Sequence, residues 1–91
     1  MATPYSVHFV HSARKEFERL PKKIQDRVVE ALHLLQHNPR SELLKVKKLK
    51  GTDALYRIRL GDYRIVYDVR HEQLVIVVIA LGHRREVYRH V

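Results

Sequence analysis

Ninety-one residues carrying a formal net charge of +8 make one small domain, 1–91, with room for a single modest core. Eighteen Lys and Arg against ten Asp and Glu imply an acidic or polyanionic partner. Cysteine is absent, which excludes disulfide staples and zinc–thiolate sites and suits a reducing cytoplasm.

The N-terminal Met1-Ala2-Thr3-Pro4-Tyr5 lacks the basic-then-apolar pattern of a signal peptide, and the longest apolar run, Leu74 to Leu81, is far too short to cross a bilayer. The expectation is a soluble, cytoplasmic protein without membrane association. Tyr5 to Val10 alternates weakly and predicts a first strand. Ser12 is a candidate N-cap for a short helix in which Ala13, Phe17 and Leu20 repeat at helical spacing. Pro21 ends that helix and can open the first turn of a second. The second helix carries Ile24, Val28, Ala31, Leu32 and Leu35 along one stripe and stops at Asn38-Pro39. Arg40 to Ala54 reads as a connector whose Lys45, Lys47, Lys48 and Lys50 form a candidate phosphate-tracking patch.

Strands follow at Leu55 to Leu60, Tyr63 to Arg70 and Leu74 to Gly82. The first two form a hairpin around Gly61-Asp62, a pair that tolerates the positive φ a two-residue loop needs. That loop sets Arg59 opposite Arg64, Ile58 opposite Ile65 and Arg57 opposite Val66. Arg57, Arg59 and Arg64 then share one face, while Tyr56, Ile58, Leu60, Tyr63, Ile65 and Tyr67 pack on the other. Like charges set opposite one another destabilise a sheet. A chain that keeps them is expected to use them on an anion, and guanidinium matches phosphate geometry. The third strand is apolar at every position from Leu74 to Leu81, which predicts burial on both faces, at least in its middle, and a central place in the sheet. Parity groups Val78, Ala80, Gly82 and Arg84 on one face and turns His83 to the other. All seven lysines lie at or before Lys50, whereas Gly51 onward holds seven arginines and no lysine.

These residues suit RNA cleavage by attack of the ribose 2′-hydroxyl on the adjacent phosphorus. Pre-oriented guanidinium groups stabilise the extra phosphoryl charge of the transition state. Tyr88 is the candidate base, its phenol lowered by surrounding arginines. The acid stays open between Arg84, hydrogen-bonded to the leaving oxygen, and His83 if the strand end twists. His33 and His37 have zinc-compatible i, i+4 spacing but no third ligand, so no metal or other cofactor is expected.

The run Tyr56 to Tyr67, together with Leu81-Gly82-His83-Arg84-Arg85-Glu86-Val87-Tyr88, resembles the RelE toxins of the RelE/ParE superfamily. The likeness spans nearly the whole chain, because strand, helix pair, basic connector, hairpin and final strand come in the family's order. It implies a ribosome-dependent mRNA endonuclease that cuts in the A site, needs no metal, leaves a 2′,3′-cyclic phosphate and a 5′-hydroxyl, and is held inactive by an acidic antitoxin. Carried over by position, it assigns phosphate contacts to Arg57, Arg59 and Arg64. It sets Arg84 near the scissile phosphate and leaving oxygen, and Tyr88 near the attacking hydroxyl. Arg85 joins Lys45, Lys47, Lys48 and Lys50 as an RNA- or ribosome-binding candidate. Arg57 and Arg59 stand where RelE itself often has lysine. Two alternatives remain: a ParE-like toxin that acts on DNA gyrase without cleaving RNA, and a catalytically impaired relative that only binds its antitoxin. The expected architecture is α+β, a small twisted and mainly antiparallel sheet of about four strands with both N-terminal helices packed on one face.

Overall fold

The computed structural model describes residues 4–39, 41, 44–49 and 55–83. Its elements in chain order are β1 (Ser6–Phe9), α1 (His11–Glu18), α2 (Lys22–His37), β2 (Lys47–Lys48), β3 (Leu55–Leu60), β4 (Tyr63–Arg70) and β5 (Val75–His83). The strands form one sheet in the order β1-β5-β4-β3-β2. Every pairing is antiparallel except β1 with β5. The α+β expectation holds, with one strand more than the four anticipated: Lys47–Lys48, inside the basic connector, pairs with Arg57 and Tyr56 as a short edge.

Both helices lie on one face of the sheet. Ala13 of α1 and Val28, Ala31, Leu32 and Leu35 of α2 are buried against Tyr56, Ile58, Leu60, Ile65, Tyr67, Val69, Ile76, Val78 and Leu81. Phe17, Leu20 and Ile24 complete the stripes as half-buried flanks. Ser12 does not cap α1. Val10 is the extended N-cap residue, and its carbonyl accepts the amide of Arg14 while its own amide donates to Val78. The chain passes from strand pairing to helix within one residue, so the helix begins ahead of the serine. Pro21 serves as N-cap of α2 rather than as its first helical residue, accepting from Ile24 and Gln25. The Gln25 side-chain amide donates to the carbonyls of Phe17, Glu18 and Leu20, supplying partners for the open end of α1.

The hairpin adopts the expected register, with Leu60 opposite Tyr63, Arg59 opposite Arg64, Ile58 opposite Ile65 and Arg57 opposite Val66. Gly61 takes the positive φ of 65° that makes the two-residue turn possible. Two expectations for β5 need correction. It is flanked by β1 and β4, but β4 is the middle strand, and Val75, Val77 and Ile79 of β5 are only half-buried. A bulge also breaks its parity: Val66 pairs with Ala80 but Tyr67 with Val78, leaving Ile79 as the extra residue. Val78 therefore joins the helix-side core, and Ala80 packs with Val66 and Leu49 on the opposite face.

Tyr67 ties the sheet to the end of α2. Its hydroxyl donates to the Pro39 carbonyl at 2.8 Å, and its ring stacks on Tyr56 with centroids 5.9 Å apart. Burial, and secondarily the nearby Tyr56, raises its phenol well above the ordinary value. Tyr67→Phe is expected to cost about 1 kcal/mol in urea unfolding by leaving that carbonyl unpaired. Above about pH 10 the unfolded chain releases the Tyr67 proton while the folded chain retains it, so stability falls as pH rises. The Phe variant should lose less stability than the parent across that alkaline range, and equal losses would refute the assignment.

Candidate functional site

The face of the sheet away from the helices is built by β2, β3, β4 and the end of β5. Cross-strand partners project to the same side, so the register defines two rows. One runs Lys47, Arg57, Val66, Ala80; the next runs Arg59, Arg64, Gly82. Val66 and Ala80 form a small apolar floor against which Leu49 packs. The cations thus stand on or beside a dry patch, where electrostatic interactions are stronger than in bulk water.

The three hairpin arginines lie at different depths. Arg59 is exposed and Arg57 half-buried, but Arg64 retains only 4% of its surface. Gly82 stands opposite Arg64 and brings no side chain. One guanidinium nitrogen of Arg64 donates to the carbonyls of Gly61 and Tyr63, both at 3.3 Å, which fixes the group at the base of the turn. Its Nε is buried with no hydrogen-bond partner, and no carboxylate among the described residues pairs with it. Farther along the same face of β4, Asp68 Oδ2 accepts from Arg70 Nε at 3.1 Å, while Asp68 Oδ1 is buried and unpartnered.

The connector lysines do not form one patch. Lys47 shares the arginine face through its pairing with Arg57. Lys48 pairs with Tyr56, a core residue, and so projects to the helix side of an open edge. Lys45 is exposed in the turn ahead of β2, at a positive φ of 50°. Lys50, Arg84, Arg85 and Tyr88 lie outside the described residues. Among the described residues no group of His, Asp and Glu is arranged to hold a metal ion, and His33 and His37 gain no third ligand.

On the helix side, His83 pairs across strands with Tyr63, the ring centroids 5.8 Å apart and nearly perpendicular. It faces away from Arg64, as parity predicts. The two rings close one wall of a cleft of about 650 Å³ beside the last turns of α1. Sequence reasoning misses this cleft. The one signal for it is the i, i+4 spacing of Lys15 and Arg19, which looks like an ordinary solvated helix face until β5 is placed.

Residues 7–88 match the profile of the family described as the ParE toxin of the type II toxin–antitoxin system parDE. The toxin RelG of Mycobacterium tuberculosis is 35% identical over 94% of this chain and 98% of its own length. The mRNA interferase toxin RelE of Escherichia coli K12 is 34% identical over 92% of this chain and 90% of its own. Among solved structures, the archaeal RelE of a RelE–RelB complex from Pyrococcus horikoshii superposes with a TM-score of 0.80 at 36% identity, covering 91% of this chain and 98% of that one.

Burying a cation without a countercharge is costly, and a long apolar side chain in its place removes that cost. Arg64→Met is therefore expected to be between neutral and about 2 kcal/mol more stable than the parent in urea unfolding, with an unchanged m-value. A loss of stability would mean that the guanidinium is held by interactions stronger than two long hydrogen bonds to the turn.

Proposed function

The chain belongs to the RelE/ParE toxin superfamily of type II toxin–antitoxin systems, and from that membership we propose that it is a RelE-type toxin, an endoribonuclease that cuts mRNA in the ribosomal A site. The observation that carries this reading is Arg64, a buried guanidinium with no countercharge among the described residues, set opposite Arg59 and one row from Arg57 and Lys47. A cation fixed in this way needs no reorganisation when charge develops on a phosphoryl oxygen.

In the proposed reaction the ribose 2′-oxygen attacks phosphorus, its proton passes to a base, and the 5′-oxygen leaves with a proton supplied by an acid. The products are a 2′,3′-cyclic phosphate and a 5′-hydroxyl. Arg64 stabilises the non-bridging oxygens, while Arg57, Arg59 and Lys47 hold the flanking backbone. Tyr88 serves as base and Arg84 assists the leaving oxygen, both by position in the family motif. Lys45, Lys48, Lys50 and Arg85 are contacts to the ribosome or to RNA outside the scissile step. The proton of the leaving oxygen comes from Arg84 or from water beside it, and the reading calls on no metal.

Two partners follow from the reading. The ribosome presents the mRNA, and an acidic antitoxin neutralises a surface whose sequence carries a net charge of +8. The relative from Pyrococcus horikoshii was solved in complex with RelB, which supports a cognate antitoxin here. A second reading has one specific observation in its favour, the ParE description of the matching family profile: a toxin that acts on DNA gyrase and cleaves no RNA.

Primer extension on mRNA from programmed ribosomes, incubated with the antitoxin-free protein, separates the two. Cleavage confined to the A-site codon is expected, with Arg64→Met slowing it about 10²- to 10³-fold and Tyr88→Phe abolishing most of it. Neither change should alter antitoxin affinity more than a few-fold. Intact mRNA with a folded wild-type protein, together with inhibition of gyrase supercoiling, would transfer the assignment to the second reading.

A further inference from the structure

The cleft on the helix side shares a wall with the arginine face. Tyr63 lines it and offers its carbonyl to Arg64, and Gly82 lines it while standing opposite Arg64. The sheet leaves a way around at this point. β1 ends where Phe9 pairs with Val78, so Ile79 to His83 have a strand neighbour on one side only among the described residues. A chain lying on the arginines can pass over that open edge to the other face without crossing a hydrogen-bonded ladder.

The cleft is equipped for what would arrive there. Lys15 of α1 and Arg19, its C-cap, are exposed and supply two cations against one carboxylate, Glu16, among the described residues of the lining. His83 and Tyr63 supply two planar rings, and Ser12 also lines the cleft. A ring platform beside a pair of cations is the combination that holds a base and its phosphates in single-stranded nucleic acid. Gln25 holds the backbone on either side of Arg19 through the carbonyls of Phe17, Glu18 and Leu20.

We propose that this cleft is a second RNA subsite, taking a nucleotide of the same strand that crosses the arginine face, with its base against His83 and its phosphates on Lys15 and Arg19. The proposal rests on the endoribonuclease reading above. It gives His83 a binding role at a distance from the scissile phosphate and makes the end of β5 the ridge over which the strand turns.

The test measures a 5′-fluorescein-labelled uridine octanucleotide binding to the antitoxin-free protein by anisotropy over a range of salt concentrations, alongside the ribosome cleavage assay. Lys15→Gln/Arg19→Gln should weaken binding at least tenfold and make the log–log salt dependence shallower by about 1.4, about 0.7 for each phosphate no longer neutralised. His83→Ala should weaken binding at least about fivefold without changing that slope. His83→Phe, which restores a planar ring, should recover most of the loss. Wild-type affinity and slope in both the glutamine and the alanine variants would overturn the subsite. If wild type still cuts A-site mRNA in that case, the endoribonuclease reading survives alone. A folded wild type that neither binds the oligonucleotide nor cuts mRNA removes both.

Discussion

Arg59 and Arg64 face one another across β3 and β4 because the opposite side of the hairpin gives them no choice. A like-charge pair at directly opposed positions costs up to about 1 kcal/mol. Burying Ile58, Leu60, Ile65 and Tyr67 contributes about 1.5–3 kcal/mol for each side chain. The register is therefore set by the helix-side core, and the arginines are carried into opposition by it. A one-residue slip would exchange the two faces and drive the guanidinium groups into the core, so no neighbouring register competes. The basic face is stable as a whole although its own members repel.

β4 carries both halves of this arrangement. On one side Tyr67 anchors the chain after α2 through the Pro39 carbonyl. On the other, Arg64 and Asp68 each bury a polar atom that finds no partner. They have opposite signs but stand four residues apart, about 13 Å along a strand, with Val66 between them. Too distant to pair, they leave the face with two unsatisfied groups that the helix-side core must offset. The middle strand of a sheet tolerates this best, since it pairs with a neighbour on each edge and its helix-side residues Ile65, Tyr67 and Val69 are buried.

The hairpin, the two helical stripes and the arginine face were legible in the sequence because each repeats with a clear period and is bounded by Gly, Pro or Asn. What was not legible had no period to read. The run Leu74 to Leu81 is apolar throughout, so nothing in it marks Ile79 as the bulged residue that moves Val78 to the core side. Lys47–Lys48 is too short to alternate, and only pairing with Arg57 and Tyr56 identifies it as a strand. Ser12 has the right chemistry for a cap, but pairing of Val10 with Val78 starts the helix before it. For the candidate site, parity assigned Arg57, Arg59 and Arg64 to one face and could not assign depth. Arg64 is buried, Arg57 half-buried and Arg59 exposed, a difference that arises from packing across strands and not from parity.

Depth is also what distinguishes a catalytic face from a docking one. One fold can host unrelated functions, so the fold does not choose between RNA and gyrase. A surface that recognises a protein partner through charge gains most from exposed groups, which steer encounter and are solvated until contact. Such a surface gains nothing from a cation already stripped of water and left with no countercharge among the described residues. A group that stabilises a transition state gains a great deal, because its interaction with developing charge is undiluted by solvent and its orientation is fixed beforehand. Arg59 and Lys47 have the exposure of binding residues, and Arg64 has the burial of a catalytic one. In the proposed reaction the neighbouring cations would collect the strand, and the buried guanidinium, whose desolvation the core has already offset in folding, would act on the phosphate brought to it.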